Sequence, residues 1–306
     1  MTRHFLSITD LTAKEIWQVF ALAKKQSKPV LKGKSLAMIF EKPSLRTRLS
    51  FEIAMTQLGG HAVYLGPSDI GLEKRESVGD VAKVTSSMAD MIMARVFKHE
   101  TVEKLAKYAS VPVINGLSDL EHPCQALADL FTIWEIKGLP AGRQAKIKGL
   151  KIAFVGDGEN NVTHSLCLGA TMLGASFASG SPKGYWMSSA IVSKAQKFGT
   201  VLETIDPKEA VVDADVVVTD TWVSMGDKDK KERKKIFEAY QVNQKLMKYA
   251  KKDAIFMHCL PAHRGEEVTA DVIDGPQSVV FQEAENRLHI QKALTLWLLF
   301  KGGEAL

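Results

Sequence analysis

The stretch SLAMIFEKPSLRTRLSFEIAMTQLGGHAVYL, residues 35–65, decides the fold class. Ser35 to Phe40 is a short apolar strand, Ser44 to Leu58 a helix closed by Gly59 and Gly60, and His61 to Leu65 the next strand. Strand, helix and strand in so short a span make one βαβ unit, and its two strands must run parallel. Working outward, Met91 to Val96 and Val111 to Asn115 read as further buried strands joined by a helix from Glu100 to Ala109. This first sheet has at least four strands.

The pattern breaks after Gly138, where Leu139 to Gly149 carries Pro140, Gly142 and Gly149 among basic residues, as a linker or domain edge does. A second α/β array follows, with strands at Lys151 to Val155, Ala175 to Ala178, Val201 to Ile205, Val216 to Thr219 and Ala254 to His258, and a helix from Val162 to Leu173 that closes on Gly174. Glu285 to Leu299 is a mostly apolar helix that must pack on something, and the charged run Asp227 to Lys235 reads as a solvated loop. The fold class is α/β with two domains, each a parallel sheet flanked by helices. A chain of 306 residues has room for both, and for a cleft between them.

Composition excludes several classes. With 45% hydrophobic and 25% charged residues the chain is an ordinary globular protein, and no apolar run approaches the roughly 18 residues of a membrane span. Met1 to Val19 interleaves charged and apolar residues and so lacks the character of a secretory or transit peptide, which makes the cytoplasm the expected location. Cys124, Cys167 and Cys259 are odd in number and show no CxxC spacing, which speaks against disulfides and thiolate metal sites. A net charge of +5 suits an anionic small substrate but is common on soluble enzymes, and no aromatic-rich basic stripe suggests nucleic acid.

Four segments carry chemistry. Pro43-Ser44-Leu45-Arg46-Thr47-Arg48 lies between a buried strand and the first turn of a helix. Ser44 at the N-cap, the free N–H groups after it and the helix dipole favour an anion, and the forked donors of Arg46 and Arg48 with the Thr47 hydroxyl match phosphate oxygens. The plainer alternative is a capped helix with solvated arginines. His122-Pro123-Cys124-Gln125 precedes the apolar helix Ala126 to Ile136. Pro123 is ordinary at a helix start, while His122 and Gln125 could donate to a carbonyl oxygen that turns negative in acyl transfer, or be structural only.

His258-Cys259-Leu260-Pro261-Ala262-His263-Arg264-Gly265 follows a buried strand, where open α/β sheets place ligands. Cys259 could be a nucleophile, a thiol sharing a proton with an attacking amine, or a small buried hydrophobe. Zinc on His258, Cys259 and His263 fits no usual ligand spacing. Asp220-Thr221-Trp222-Val223-Ser224-Met225-Gly226 also follows a buried strand, where its acid can pair with a substrate ammonium. The turn Val155-Gly156-Asp157-Gly158-Glu159-Asn160-Asn161 has only two glycines, and an acid where a dinucleotide's pyrophosphate would lie, so a nicotinamide cofactor is not expected.

Together these segments resemble the aspartate/ornithine carbamoyltransferase family nearly end to end. S-x-R-T-R is filled by Ser44, Arg46, Thr47 and Arg48, with Leu45 where most members have Thr; HPxQ by His122, Pro123 and Gln125; and HCLP by His258 to Pro261. D-x-W-x-S-M-G belongs to the ornithine branch and is absent from the aspartate branch. The resemblance implies transfer of the carbamoyl group of carbamoyl phosphate to the δ-amine of L-ornithine, with no metal and no cofactor, in a homotrimer or a multiple of trimers.

It implies a carbamoyl phosphate-binding domain at 1–137, an ornithine-binding domain at 150–284, and a final helix, 285–306, that packs back on the first. It further implies carbamoyl phosphate contacts from Ser44, Leu45, Arg46, Thr47, Arg95, His122, Pro123, Cys124, Gln125, Cys259, Leu260 and Arg287. Asn161, Asp220, Ser224 and Met225 would hold ornithine, and Arg95, His122 and Cys259 would be catalytic. Where many relatives have a glutamine that reaches a neighbouring subunit's site, this chain has Gly71, with Glu73, Lys74 and Arg75 the nearest polar candidates. Rival readings are a carbamoyltransferase for putrescine or an acylated ornithine, a pyridine-nucleotide dehydrogenase, and a non-catalytic regulatory subunit.

Overall fold

The computed structural model describes residues 2–25, 28–73, 75–138, 147–223 and 230–300. The chain divides into two compact units, Met1–Leu127 with Glu285–Leu306, and Ala128–Ala284.

The first unit opens with helix α1 (Ala13–Lys24), capped by a reciprocal Thr12 and Glu15 box. Then come β1 (Ser35–Phe40), α2 (Leu45–Gln57), β2 (His61–Leu65), the short α3 (Pro67–Ile70), α4 (Val78–Met88), β3 (Met91–Arg95), α5 (His99–Tyr108), β4 (Val113–Leu117) and the start of α6 (Pro123–Lys137). Its sheet is parallel in the order β2-β1-β3-β4. The turn after α2 has Gly59 at φ +79°, which an L side chain rarely adopts, and a Cβ on Gly60 would strike the Met55 side chain. Ile39, Ile92, Ala94, Val102, Leu105 and Val113 form the buried apolar layer.

The first unit departs from the sequence expectation at several points, α1 and α3 among them, and β4 begins at Val113 where Val111 is expected. β4 continues two residues beyond Asn115, a poor strand former, because Asn115 is fully buried with its Nδ2 donating to the Leu6 carbonyl at 2.9 Å. Helix α4, not anticipated, is capped by Ser77, whose Oγ accepts from the Asp80 N–H at 3.1 Å.

The second unit contains β5 (Lys151–Val155), α7 (Asn161–Met172), β6 (Ser176–Gly180), α8 (Ser189–Ala195), β7 (Val201–Thr204), α9 (Pro207–Val211), β8 (Val216–Thr219), α10 (Lys230–Phe237), α11 (Gln244–Met247), β9 (Ile255–His258), α12 (Ala270–Ile273) and the start of α13 (Val280–Leu299). Its five strands are parallel in the order β7-β6-β5-β8-β9. The core beneath β5, β8 and β9 is built on Val155, Val217, Phe256, Trp222, Phe237 and Tyr240. Burying each of these large side chains removes apolar surface worth about 1.5–3 kcal/mol.

The run 227–235 is not wholly the loop the sequence suggests: residues from Lys230 form α10, and Asp227 to Asp229 lie outside the described residues. Helix α13 starts at Val280, earlier than Glu285, and its Ile290, Leu294, Leu296 and Trp297 are buried. Among the described residues no helix is long and apolar enough to cross a membrane.

Strand order fixes where ligands can sit. In the first sheet the order reverses between β1 and β3, and in the second between β5 and β8. Chain leaving adjacent strands at such a point departs to opposite faces, and a crevice opens at the carboxyl ends. β1 ends beside β3 with Phe40 opposite Arg95, while the Thr219 hydroxyl at the end of β8 donates to the Val155 carbonyl at the end of β5, 2.6 Å away.

Candidate active site

In the first unit the crevice collects positive charge. Ser44 is the N-cap of α2, and its Oγ accepts from the Thr47 N–H at 3.3 Å. Leu45, the first residue of that helix, has a side chain 73% exposed, so only its backbone N–H can serve an anion. Arg95 ends β3, and His122 immediately precedes α6, where its carbonyl accepts from the Gln125 and Ala126 N–H groups at 3.0 and 3.1 Å.

Arg287, on α13 and buried, donates from Nη2 to the Thr47 hydroxyl at 2.9 Å, which brings the last helix to the phosphate segment. His122 is held neutral. Its pKa lies well below the usual histidine value, first because it is buried and then because the charges of Arg287, Arg95, Lys42 and Arg46 act on it. These four cations gather around the imidazole.

Lys42 is a residue that the sequence reading misses, although it lies two positions before Ser44. Its ammonium sits 5.1 Å from the Phe97 ring centre. Burial and then the Arg95 charge push its pKa down to about 8. Arg48, by contrast, does not join the cluster: it pairs with Glu52 at 3.0 Å and lies over Tyr64 at 4.1 Å. Cys124 is buried inside α6, donating to the Asn115 carbonyl at 3.4 Å, and burial pushes its thiol up to about 12. Gln125 is fully buried in the same turn.

In the second unit the crevice is acidic. Asp220 follows β8 and holds three groups: its Oδ2 accepts from Asn160 Nδ2 at 2.9 Å, and its Oδ1 accepts from the Thr221 N–H at 2.8 Å and the Cys259 thiol at 3.3 Å. Asn160, which thus helps orient Asp220, also caps α7 by accepting from the Val162 N–H at 2.7 Å; Asn161 is the first residue of that helix. Ser224 and Met225 lie outside the described residues, as does Lys74 in the first unit.

Of thiol and thiolate, the geometry selects the thiol for Cys259. Burial pushes its pKa well above the usual cysteine value, and Asp220, Glu283 and Asp129 push in the same direction. Leu260 follows with φ +59°. The His258 nitrogens are both engaged, Nδ1 by the Leu260 N–H at 2.9 Å and Nε2 by Glu267 Oε1 at 3.2 Å, which leaves no lone pair for a metal although Asp220, His258 and Cys259 lie close together.

Asp157, the acid of the glycine turn, is taken up by Arg233 of α10. Burial raises Asp157 to about 6 while Arg233 pulls it back. Arg233 also donates to the Trp222 carbonyl and lies over the rings of Tyr185 and Phe237, at 4.9 and 5.1 Å. It thus ties α10 to the loop after β8. The space over Gly158 is filled by the Tyr185 carbonyl, 2.6 Å from where a Cβ would stand, so this turn does not offer the open backbone approach a pyrophosphate needs.

Comparison with known proteins also finds two domains. The family pattern for the carbamoyl-P binding domain of aspartate/ornithine carbamoyltransferases matches residues 3–135, and that for the Asp/Orn binding domain matches residues 148–298. An ornithine carbamoyltransferase of Pyrococcus horikoshii is 54% identical over 311 residues, covering 97% of this chain and 96% of its own, and the anabolic enzyme of Pyrococcus furiosus is 54% identical with 95% of each chain covered.

Among solved structures, the Pyrococcus furiosus enzyme superposes with a TM-score of 0.90 at 52% identity over 96% of both chains. The anabolic enzyme of Campylobacter jejuni reaches 0.91 at 43% identity, over 98% of this chain and all of its own. A cation-lined crevice with a neutral histidine in one unit, an acid and a thiol at the crevice of the other, and matches that run the length of both place this chain in the aspartate/ornithine carbamoyltransferase family.

Proposed function

We propose that the protein is an ornithine carbamoyltransferase, converting carbamoyl phosphate and L-ornithine to L-citrulline and phosphate in arginine biosynthesis. The observation that carries this reading is the gathering of Lys42, Arg46, Arg95 and Arg287 about a buried, neutral His122 beside the capped start of α2, an arrangement suited to a dianion joined to a carbonyl. Residues 1–137 with the last helix bind carbamoyl phosphate, and 150–284 bind ornithine. Ser44, the Leu45 N–H, Arg46 and Thr47 take the phosphate. Arg95, His122, Gln125 and Arg287 take the carbamoyl end, with Pro123 and Cys124 shaping the turn and Cys259 and Leu260 beside the reacting amine. Asp220, steadied by Asn160, pairs with the α-ammonium of ornithine, and Asn161, Ser224 and Met225 complete the amino-acid end.

The δ-amine is an ammonium in water, with a pKa near lysine's, roughly 10.4, and must shed a proton before it attacks. Desolvation in the closed site favours the neutral amine. Its nitrogen then bonds to the carbamoyl carbon, the oxyanion is met by Arg95 and neutral His122, the carbon–oxygen bond to phosphate breaks, and the departing phosphate takes the surplus proton of the attacking nitrogen as it leaves into the cations and N–H groups at the start of α2. Cys259, as a thiol bonded to Asp220, orients and does not accept the proton. No covalent intermediate is required.

The working form is a cytoplasmic homotrimer or a multiple of trimers. Exposed Leu45 and Leu49 on α2 and Val84 and Met88 on α4, each pair one turn apart, support an apolar contact with another copy. A solution mass three times 33.7 kDa, or a multiple of that, is expected from light scattering, and a monomer would refute it. The functional test is citrulline formation by purified protein with ornithine, putrescine and N-acetylornithine offered in turn. No citrulline, or faster turnover of either other amine, overturns the assignment.

A further inference from the structure

His258 is the last residue of β9 and is fully buried, and its ring does two jobs at once. The Leu260 N–H donates to Nδ1 at 2.9 Å, so that nitrogen carries no proton and the ring proton sits on Nε2, which donates to Glu267 Oε1 at 3.2 Å. Glu267, fully buried, also receives the His263 N–H at 2.5 Å, so one carboxylate ties both ends of the segment from His258 to His263. The His258 backbone N–H is held separately, by Glu283 Oε2 at 2.9 Å.

Between these anchors Leu260 stands at φ +59°, a conformation that L residues with a branched side chain rarely adopt. Backbone strain of that kind persists only where the surroundings over-determine it, and it gathers at functional sites. Here it falls on the residue next to the Cys259 thiol.

We infer that His258 and Glu267 are positioning residues for the transfer: the imidazole latch holds Leu260 left-handed, and so sets the direction of the Cys259–Leu260 peptide groups against the reacting amine. This rests on the carbamoyl-transfer reading above. A buried histidine with satisfied nitrogens can also be mere packing. The two roles differ in what they do to turnover once the protein is folded.

The test uses full-length protein, with kcat and KM measured for both substrates. His258→Phe keeps the ring volume and removes both nitrogens. It lowers kcat by about 10- to 100-fold, the scale of a small misplacement at a reacting centre, and leaves the KM for carbamoyl phosphate within about 3-fold. His258→Asn keeps an acceptor at the spacing from which Asn side chains bond the N–H two residues on, and it recovers most of kcat. In a Leu260→Gly background, where φ above zero carries no steric cost, adding His258→Phe costs less than about 3-fold.

If His258→Phe does not fold, Glu267→Gln reads the same contact, since it can still accept the imidazole proton but holds His263 more weakly; about a 3- to 10-fold loss of kcat is expected as the charge-assisted bond becomes neutral. Parent-like kcat in His258→Phe or, in its place, in Glu267→Gln overturns the inference. So do equal losses in the Phe and Asn variants, and equal losses with and without Leu260→Gly. A parent enzyme that forms no citrulline overturns the functional reading, and this inference with it.

Discussion

Glu283→Gln should change how the protein's stability depends on pH, and by a calculable slope. Glu283 and Asp129 are each 1% exposed and their carboxyl groups are hydrogen-bonded to one another, which requires a proton between them. Burial and Asp129 push the Glu283 pKa well above the usual value of 4.5, the His258 N–H pulls it back, and Asp220 adds a smaller push. In the unfolded chain the same group ionises near its ordinary value. Above that pH the folded protein therefore binds more protons than the unfolded one, and stability falls as pH rises until the folded group ionises too.

One proton is worth about 1.4 kcal/mol per pH unit, so raising the pH from about 6 to about 8 costs the parent up to ~2.7 kcal/mol through this pair. Gln in its place offers an oxygen to the His258 N–H and an amide N–H to Asp129, with no proton to lose. The variant should thus gain on the parent steadily with pH, measured by urea unfolding followed through tryptophan fluorescence. Parallel stability profiles for the two proteins, or a parent that gains on the variant as pH rises, would refute the shared proton.

Three further outcomes follow from the site. Arg46→Ala should raise the carbamoyl phosphate requirement and slow turnover through loss of a charge-assisted contact of about 1.5–3 kcal/mol, and Arg46→Lys should rescue little because the fork is gone; near-normal steady-state kinetics would move the phosphate elsewhere. Asp220→Asn should weaken ornithine binding far more than carbamoyl phosphate binding, as titration calorimetry with each substrate would show, and equal losses would contradict the division of substrates between the units. Cys259→Ala should leave slow, measurable citrulline formation, as the orienting role proposed for the thiol predicts; complete inactivity together with a carbamoyl-thioester on the parent, detected by mass spectrometry, would make it a nucleophile.

Much of this molecule is written locally in its sequence. Ser44 before Leu45-Arg46-Thr47, and the glycines after α2, are read from neighbours alone, because capping and turn geometry are short-range. Arg287 is different. Its contact with Thr47 spans 240 positions, and nothing within α13 marks that arginine as more than another polar residue on a helix. Arg233 is hidden for the opposite reason, since it sits in a run of charges that reads as solvent-facing although its side chain turns inward to Asp157 and Trp222. Asp129 does leave a trace: it is a lone acid amid the apolar Ala126 to Ile133, in a helix buried on every side, where a charge has to find a partner. Asn160 and Asn161 are adjacent and chemically identical, so sequence alone does not show that Asn160 both caps α7 and reaches Asp220.

The three cysteines lead somewhere else. Cys124 is raised to about 12, Cys167 is raised further by burial and by Glu203, and Cys259 is raised by burial and its carboxylate neighbours. Oxidants, alkylating agents and disulfide exchange all begin with thiolate, and here all three sulfurs are kept from becoming one. With all three held as thiols, the protein offers oxidants and alkylating agents little of the form they attack.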